Sequence, residues 1–318
     1  MPTTDRTRID AILERLRLPV LAAPMFLVSG PELVVASSRA GVMGSFPSPN
    51  CRTTAELDAW LGAITDGLRG VDTPWALNLV THRTNTRLDD DLRLVKEYEP
   101  PVVVTALGSP APALDVVHAY GGVVVADVVS LRLAKKAVGM GADGLGLVSA
   151  GAGGHTGHLS PFAFVSAVRE FFDGLVMVGG GISDGAGAAG AVAAGADLVS
   201  IGTRFLATTE SMAVDPYKEM VVAHGVDDLV VSAGVTGTPA SWLRPSLVAN
   251  GLDPDAMTFD GERTYDAAAS PGGRWKDIWA AGQGLGTIHA VEPVASVVDR
   301  LEAEYVAALD RVSGLRRR

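Results

Sequence analysis

Eight short apolar runs, separated by stretches long enough for helices, constrain the fold of this chain more than any other feature of its sequence. They are LPVLAAPM from Leu18, GVMGSF from Gly41, WALNLV from Trp75, PVVVTALG from Pro101, GGVVVADVV from Gly121, GADGLGLV from Gly141, GLVMVGGGI from Gly174 and GADLVSIGT from Gly195. They read as continuous apolar segments rather than as polar–apolar alternation, the pattern of strands buried on both faces in a parallel sheet. Intervening segments such as SLRLAKKAVGMGAD and DGAGAAGAVAAGAD read as helices ending at a glycine, where a left-handed cap is easiest. Eight successive strand–helix units predict an α/β chain folded as a (β/α)8 TIM barrel. A doubly wound sheet is the alternative, and so many units on one chain favour closure.

The pattern stops after Thr203. Residues 1–210 are therefore expected to form the barrel, and residues 211–275 a cap over its mouth. That cap is loop-rich over residues 211–273, with GVTGTPASWLRPSLVANGLDPD in its middle. Residues 276–318 should close the barrel with a helix near residues 294–309. The opening MPTTDRTRIDAILERLRLPV has helical spacing over residues 9–16 and lacks the unbroken apolar stretch of a secretory or membrane-spanning segment.

A chain of 318 residues, 47% hydrophobic, can bury a core of barrel size. Its net charge of -10 argues against a nucleic-acid-binding surface, leaving Arg316, Arg317 and Arg318 as a small solvated tail. The single cysteine, Cys51, excludes an internal disulfide framework and suits a reducing cytosol, so a cytoplasmic location is expected.

Barrel chemistry sits at the C-terminal ends of the strands. Those ends hold Pro24 and Met25, then Asn78, then Gly153, Gly154 and His155, then Gly179, Gly180 and Gly181, and finally Gly202 and Thr203. The last two groups follow strands 7 and 8, where backbone N–H groups and a helix N-terminus often hold a phosphate. VGGGISDG removes side chains where an anion would approach, Ser183 or Asp184 can cap the next helix, and IGTRF adds the Thr203 hydroxyl and the Arg204 cation. His155, in SAGAGGHTGH, faces the same mouth, and an imidazole with an ordinary pKa of about 6.5 can act as a base near neutral pH. His158 lacks the Cys or carboxylate set that would complete a metal site with it, and no metal is expected. His82, His118, His224 and His289 fall in no constellation.

Together, APM at strand 1, Asn78 in LNL, AGGHTG after strand 6, GGI after strand 7, GTRFLATTES after strand 8 and AGQGLG from Ala281 resemble the nitronate monooxygenase family of FMN-dependent barrels. By that resemblance Met25, Asn78, Gly153, Gly180, Gly181, Gly202 and Thr203 contact FMN, with Pro24 and Gly154 beside them. His155 is the active-site base, and Gln283 and Gly284 lie near the flavin mouth. Two positions depart from relatives: Gly151 stands where many carry a glutamate, and Asp127 where some carry a lysine.

The resemblance implies oxidation of alkyl nitronates or nitroalkanes by O2 to a carbonyl compound and nitrite. FMN-dependent enoyl-acyl-carrier reductases and NAD(P)H:quinone reductases share the fold and the histidine motif, so NAD(P)H is a second candidate partner. A barrel with a loop cysteine, of the inosine-monophosphate dehydrogenase type, is disfavoured because Cys51 follows strand 2. A nucleotide-binding sensor barrel is the non-enzymatic alternative. No membrane is expected among the partners, and the sequence is silent on oligomeric state.

Overall fold

The structure, a computed structural model, describes residues 6–258 and 274–315. The expected Arg tail and residues 259–273 of the expected cap lie outside them. The eight apolar runs form β1 (Val20–Ala22), β2 (Gly44–Pro47), β3 (Trp75–Val80), β4 (Val102–Ala106), β5 (Val123–Val128), β6 (Gly144–Val148), β7 (Leu175–Gly179) and β8 (Leu198–Ile201). They pair in parallel in the order β1-β8-β7-β6-β5-β4-β3-β2. The ring closes through a parallel bridge, Leu21↔Met43, in which the Ala22 N–H donates to Met43 O at 2.9 Å and the Met43 N–H to Val20 O at 2.9 Å. The (β/α)8 reading therefore stands.

Period-2 geometry sorts each strand's side chains. Leu21, Met43, Ala76, Val104, Val125, Met177 and Leu198 fill the barrel interior. Their neighbours, among them Val103, Val124, Ala126, Val128 and Val178, pack outward against the helices. The helical shell comprises α1 (Thr7–Leu13), α2 (Pro31–Arg39), α3 (Thr54–Gly67), α4 (Leu88–Tyr98), α5 (Ala111–Ala119), α6 (Leu131–Gly139), α7 (Pro161–Arg169) and α8 (Gly185–Ala193). The expected glycine stops hold: Gly141 (φ +97°) follows α6 and Gly195 (φ +113°) follows α8, both left-handed.

The two similar GAD phrases do one job. Each aspartate enters at a helix-to-strand joint and accepts the N–H of the neighbouring strand, Asp143 from Val124 and Asp197 from Val176, both at 2.8 Å. Asp143 also meets His118 Nε2 at 2.7 Å, and Asp197 is met by Arg6 and Arg169. His118 is thereby a structural residue at the N-terminal end, where such networks serve stability rather than chemistry.

After the short helix α9 (Thr203–Leu206), the stretch expected to be loop-rich is more regular than that. It contains α10 (Asp215–Ala223), β9 (Leu229–Ser232), β10 (Ala240–Leu243) and α11 (Arg244–Ala249). Four-residue strands flanked by turn formers give too little periodicity to stand out in sequence. α12 (Arg274–Asp277) precedes α13 (Val294–Leu315), which extends past the expected 294–309 and packs on α8 and α2. The N-terminal helix is displaced the other way, ending at Leu13 rather than residue 16, because the chain turns there to bring the Arg17 N–H to Gly41 O at 2.8 Å. No described helix is long and apolar enough to cross a membrane.

Candidate active site

Three loops meet at one backbone atom. The carbonyl of Gly151, after β6, accepts the N–H of Gly181, after β7, at 2.9 Å and the N–H of Gln283 at 2.9 Å. The segment around Gln283 is tied to β8 as well, since the Gly282 N–H donates to Thr203 Oγ1 at 2.9 Å. Ser183 Oγ donates to Gly284 O at 2.7 Å. So Gly151, Gly181, Thr203, Gln283 and Gly284, far apart in the chain, form one assembly at the mouth.

Glycine is required at several of these points. Gly181 (φ +68°) and Gly151 (φ +88°) are left-handed. A Cβ on Gly153 would lie 2.6 Å from the Gly282 nitrogen, and one on Gly180 2.6 Å from Ala150 O. Gly202 differs: a Cβ there would make only ordinary contacts, 3.5 Å to Met25 Sδ and 3.6 Å to Ala23 Cβ. Gly202 therefore faces Met25 and Ala23 at ordinary contact distance. The Gly151 departure also has a local cause, because a Cβ there would come within 2.8 Å of Gln283 Oε1.

The first strand's end is held rigidly. Met25 O accepts from Asn50 Nδ2 at 3.1 Å and Met25 N donates to Ser29 Oγ at 3.0 Å. Leu27, two residues on, has φ 59°, and Leu107, just after β4, has φ 60°. Bulky residues in that region are strained, and such strain gathers at functional mouths. Asn78 is buried, points inward between Ala76 and Val80, and donates from Nδ2 to Val104 O at 3.2 Å.

After β6, His155 lies in a two-residue ladder, Gly154–His155, antiparallel to β10. Ala240 lies opposite His155 and Ser241 opposite Gly154. Adjacent contacts hold the ladder: the Thr156 N–H donates to Pro239 O at 3.1 Å and Ser241 Oγ to Ala281 O at 2.8 Å. The imidazole is half-buried, and desolvation pulls its pKa below the ordinary value. Its ring is therefore mostly neutral at pH 7. His158 and His289 are exposed, and His224 Nδ1 lies 2.9 Å from Met220 O.

Arg204 is a correction. Its guanidinium is buried and paired with Glu292, which also meets Arg300, so the cation is spent on anchoring the stretch before α13 rather than offered to an anion. Asp184 is the cap of α8, taking the Gly187 N–H at 2.6 Å, while Glu304 takes the Gly185 N–H at 2.8 Å. With both N–H groups satisfied by carboxylates, the start of α8 is a poor anion seat, and the glycine loop before it is the better one.

The second departure, Asp127, lies inside the barrel. Asp127 is the only ionisable side chain in the eight strands of the barrel. It stands two residues beyond Val125, on the inward-facing phase of β5, and burial pushes its carboxyl up to about 7. The sequence marked it only as the residue standing where some relatives carry a lysine. Among the described residues no cluster of three or more His, Cys, Asp or Glu could hold a metal ion.

A family model described as nitronate monooxygenase matches residues 9–304. The chain is 33% identical over 230 residues to (3aS,4S,5R,7aS)-5-hydroxy-7a-methyl-1-oxo-octahydro-1H-indene-4-carboxyl-CoA dehydrogenase of Rhodococcus jostii, an alignment covering 72% of this chain and 64% of that protein. It is 26% identical to a nitronate monooxygenase of Paraburkholderia phytofirmans, covering 97% of this chain and 98% of the relative. Among solved structures it resembles FabK from Thermotoga maritima, with a TM-score of 0.78 and 27% identity over 98% of this chain and 100% of that one.

Proposed function

The chain belongs to the nitronate monooxygenase family of flavin-dependent oxidoreductases, and from that premise we propose that it binds FMN noncovalently and oxidises alkyl nitronates with O2 to a carbonyl compound and nitrite. The observation that carries this reading is the assembly of Gly151, Gly181, Gln283 and Thr203 beside a half-buried, neutral His155.

The residues present fit a flavin nucleotide. A Cβ on Gly181 or Gly202 would make only ordinary van der Waals contacts, none nearer than 3.5 Å, so no close neighbour covers the backbone at either position. Thr203 begins α9, so its N–H has no partner within the helix. Gly180, Gly181, Gly202 and Thr203 would hold the phosphate through backbone N–H groups and the Thr203 hydroxyl. Pro24, Met25, Asn78, Gly153 and Gly154 would line the ring site, with Gln283 and Gly284 at its rim. FMN, when bound, supplies the redox step between nitronate and O2.

His155 takes the proton α to the nitro group when a neutral nitroalkane enters, and a preformed nitronate needs no such step. Desolvation favours the neutral ring, so the base is ready at pH 7 without a carboxylate beside it. Residues 211–275 act as a cap that positions His155 through β10 and shapes access to the mouth.

A second reading follows from the Rhodococcus relative, whose name describes a carboxyl-CoA substrate, and from the likeness to FabK. A reductase of thioester substrates would use NAD(P)H as electron donor at the same flavin. The deciding experiment is an absorption spectrum of the purified protein, chromatography of its released flavin, and anaerobic addition of propyl-2-nitronate or NADPH. Bleaching by nitronate, and nitrite release once air is admitted, is expected. Rapid bleaching by NADPH with none by nitronate would move the protein to the second reading.

A further inference from the structure

Asp127 has no part in the chemistry described so far, yet its setting is specific. Val123 and Val125 belong to the interior cluster with Met177, while Ala126 and Val128 pack outward with Ala134 and Phe164, so Asp127 projects toward the barrel axis on the mouth side of Val125. Its partner across the ladder is Gly146. A Cβ on Gly146 would collide with Asp127 Oδ1 and approach Met177 Cε to 3.1 Å. The glycine thus leaves the room that the carboxyl occupies. Among the described residues no charge of opposite sign offsets its raised pKa, whose cause is burial. The neighbouring strands β4 and β6 and the facing Met177 are uncharged, as are Leu107, Gly108, Val129 and Ser130, which follow β4 and β5. Among the described residues His155 is a second titratable side chain placed at the mouth, and desolvation lowers its pKa.

We propose that Asp127 is the substrate-binding residue for the anionic end of the substrate, donating a hydrogen bond from its protonated carboxyl to a nitronate oxygen. This rests on the nitronate reading of the site. An ionised carboxylate beside Gly146 and Met177 would repel a nitronate, whereas the acid form offers an O–H donor that gains strength where water is excluded. When the nitronate arrives above neutral pH, the complex takes one proton from solvent onto Asp127 Oδ, and no covalent bond to the substrate forms. Burial that holds the carboxyl near 7 makes that proton available at modest cost around neutrality. A neutral nitroalkane has no negative oxygen to receive and should be indifferent to this titration.

The test uses the flavin-loaded protein and sodium nitrate, a planar anion that is not turned over. Nitrate is titrated calorimetrically in two buffers of different ionisation enthalpy. Wild type should take up about one proton per nitrate at pH 8.5 and almost none at pH 5. Asp127→Asn, which keeps an uncharged donor of the same shape, should bind nitrate with no uptake at either pH. Asp127→Leu should lose binding at least tenfold. The KM for nitronate should rise about tenfold per pH unit above neutrality in wild type and stay flat in Asp127→Asn. Nitrate binding to wild type at pH 8.5 without proton uptake, or uptake that survives in Asp127→Asn, would overturn the proposal. Since nitrate binding is read without turnover, a protein that fails to oxidise nitronate would count against the proposed function while the calorimetry still decides the role of Asp127.

Discussion

Replacing His155 with Asn separates chemistry from architecture, because the two depend on different atoms of the same residue. The architecture lies in the backbone: His155 is held opposite Ala240 in a ladder whose hydrogen bonds do not involve the ring. Asn keeps that backbone and removes the base. Desolvation lowers the imidazole's pKa from its ordinary 6.5, so at pH 7.5 nearly every molecule carries the competent neutral ring, and protonation hides little of the loss. General-base catalysis contributes about 10²–10⁴ in rate, or about 2.7–5.4 kcal/mol at 1.36 kcal/mol per decade. His155→Asn should therefore lose about that factor in kcat/KM with 2-nitropropane and keep most of its activity with propyl-2-nitronate. The assay is nitrite release from both substrates on one flavin-replete preparation, with flavin occupancy measured for each variant. In wild type the nitroalkane rate should fall on the acid side only below pH 6.5, the sign required of a base whose pKa is lowered. Equal small losses on both substrates, or an acid limb centred well above 6.5, would refute the base assignment.

Other expectations follow from single contacts. Gly181→Asp puts a negative side chain on a left-handed residue (φ +68°) in the proposed phosphate cradle and should abolish flavin retention, read as the loss of yellow colour on desalting. Asp127→Asn should raise stability at pH 8.5 and change it little at pH 3. The folded-state pKa is raised from 3.8 to about 7, so the proton-linked stability is full below 3.8 and lost as pH rises through 7. The gain should be on the order of 1–4 kcal/mol in urea unfolding at the two pH values. Gly157→Ala would drive a Cβ into Val148 O at the end of β6. It should cost about 1–3 kcal/mol and lower nitroalkane turnover by shifting the His155 ladder.

The parts legible in the sequence share one physical property: their signal is local. Eight buried strands announce themselves because each is a continuous apolar run. Gly141 and Gly195 stop helices because a left-handed residue does so wherever it occurs. Arg204 shows where locality fails. It adjoins Thr203 in sequence, but each helical step turns a side chain about 100°, and α9 carries the guanidinium away to Glu292. The strands β9 and β10 were hidden because LVVS and ASWL acquire meaning only when paired with each other and with Gly154–His155. Asp127 was visible only as the residue standing where some relatives carry a lysine. Its inward direction needed the phase of β5, and its raised pKa needed the burial that the folded barrel imposes.

The ladder between His155 and Ala240 has a consequence for biosynthesis. The last barrel strand ends at Ile201, but the backbone partner of His155 is Ala240, and the Gln283 N–H that completes the Gly151 junction comes later still. At about 5–20 residues per second, a ribosome needs roughly 2–8 s to travel from one strand to the other. During that interval a nascent chain has every barrel strand and still lacks what fixes its base. The order of emergence thus separates closing the container from arming it. An arrested chain ending near residue 210 should show barrel hydrogen-exchange protection around Val125 and Val178 while the amides of residues 153–157 exchange freely.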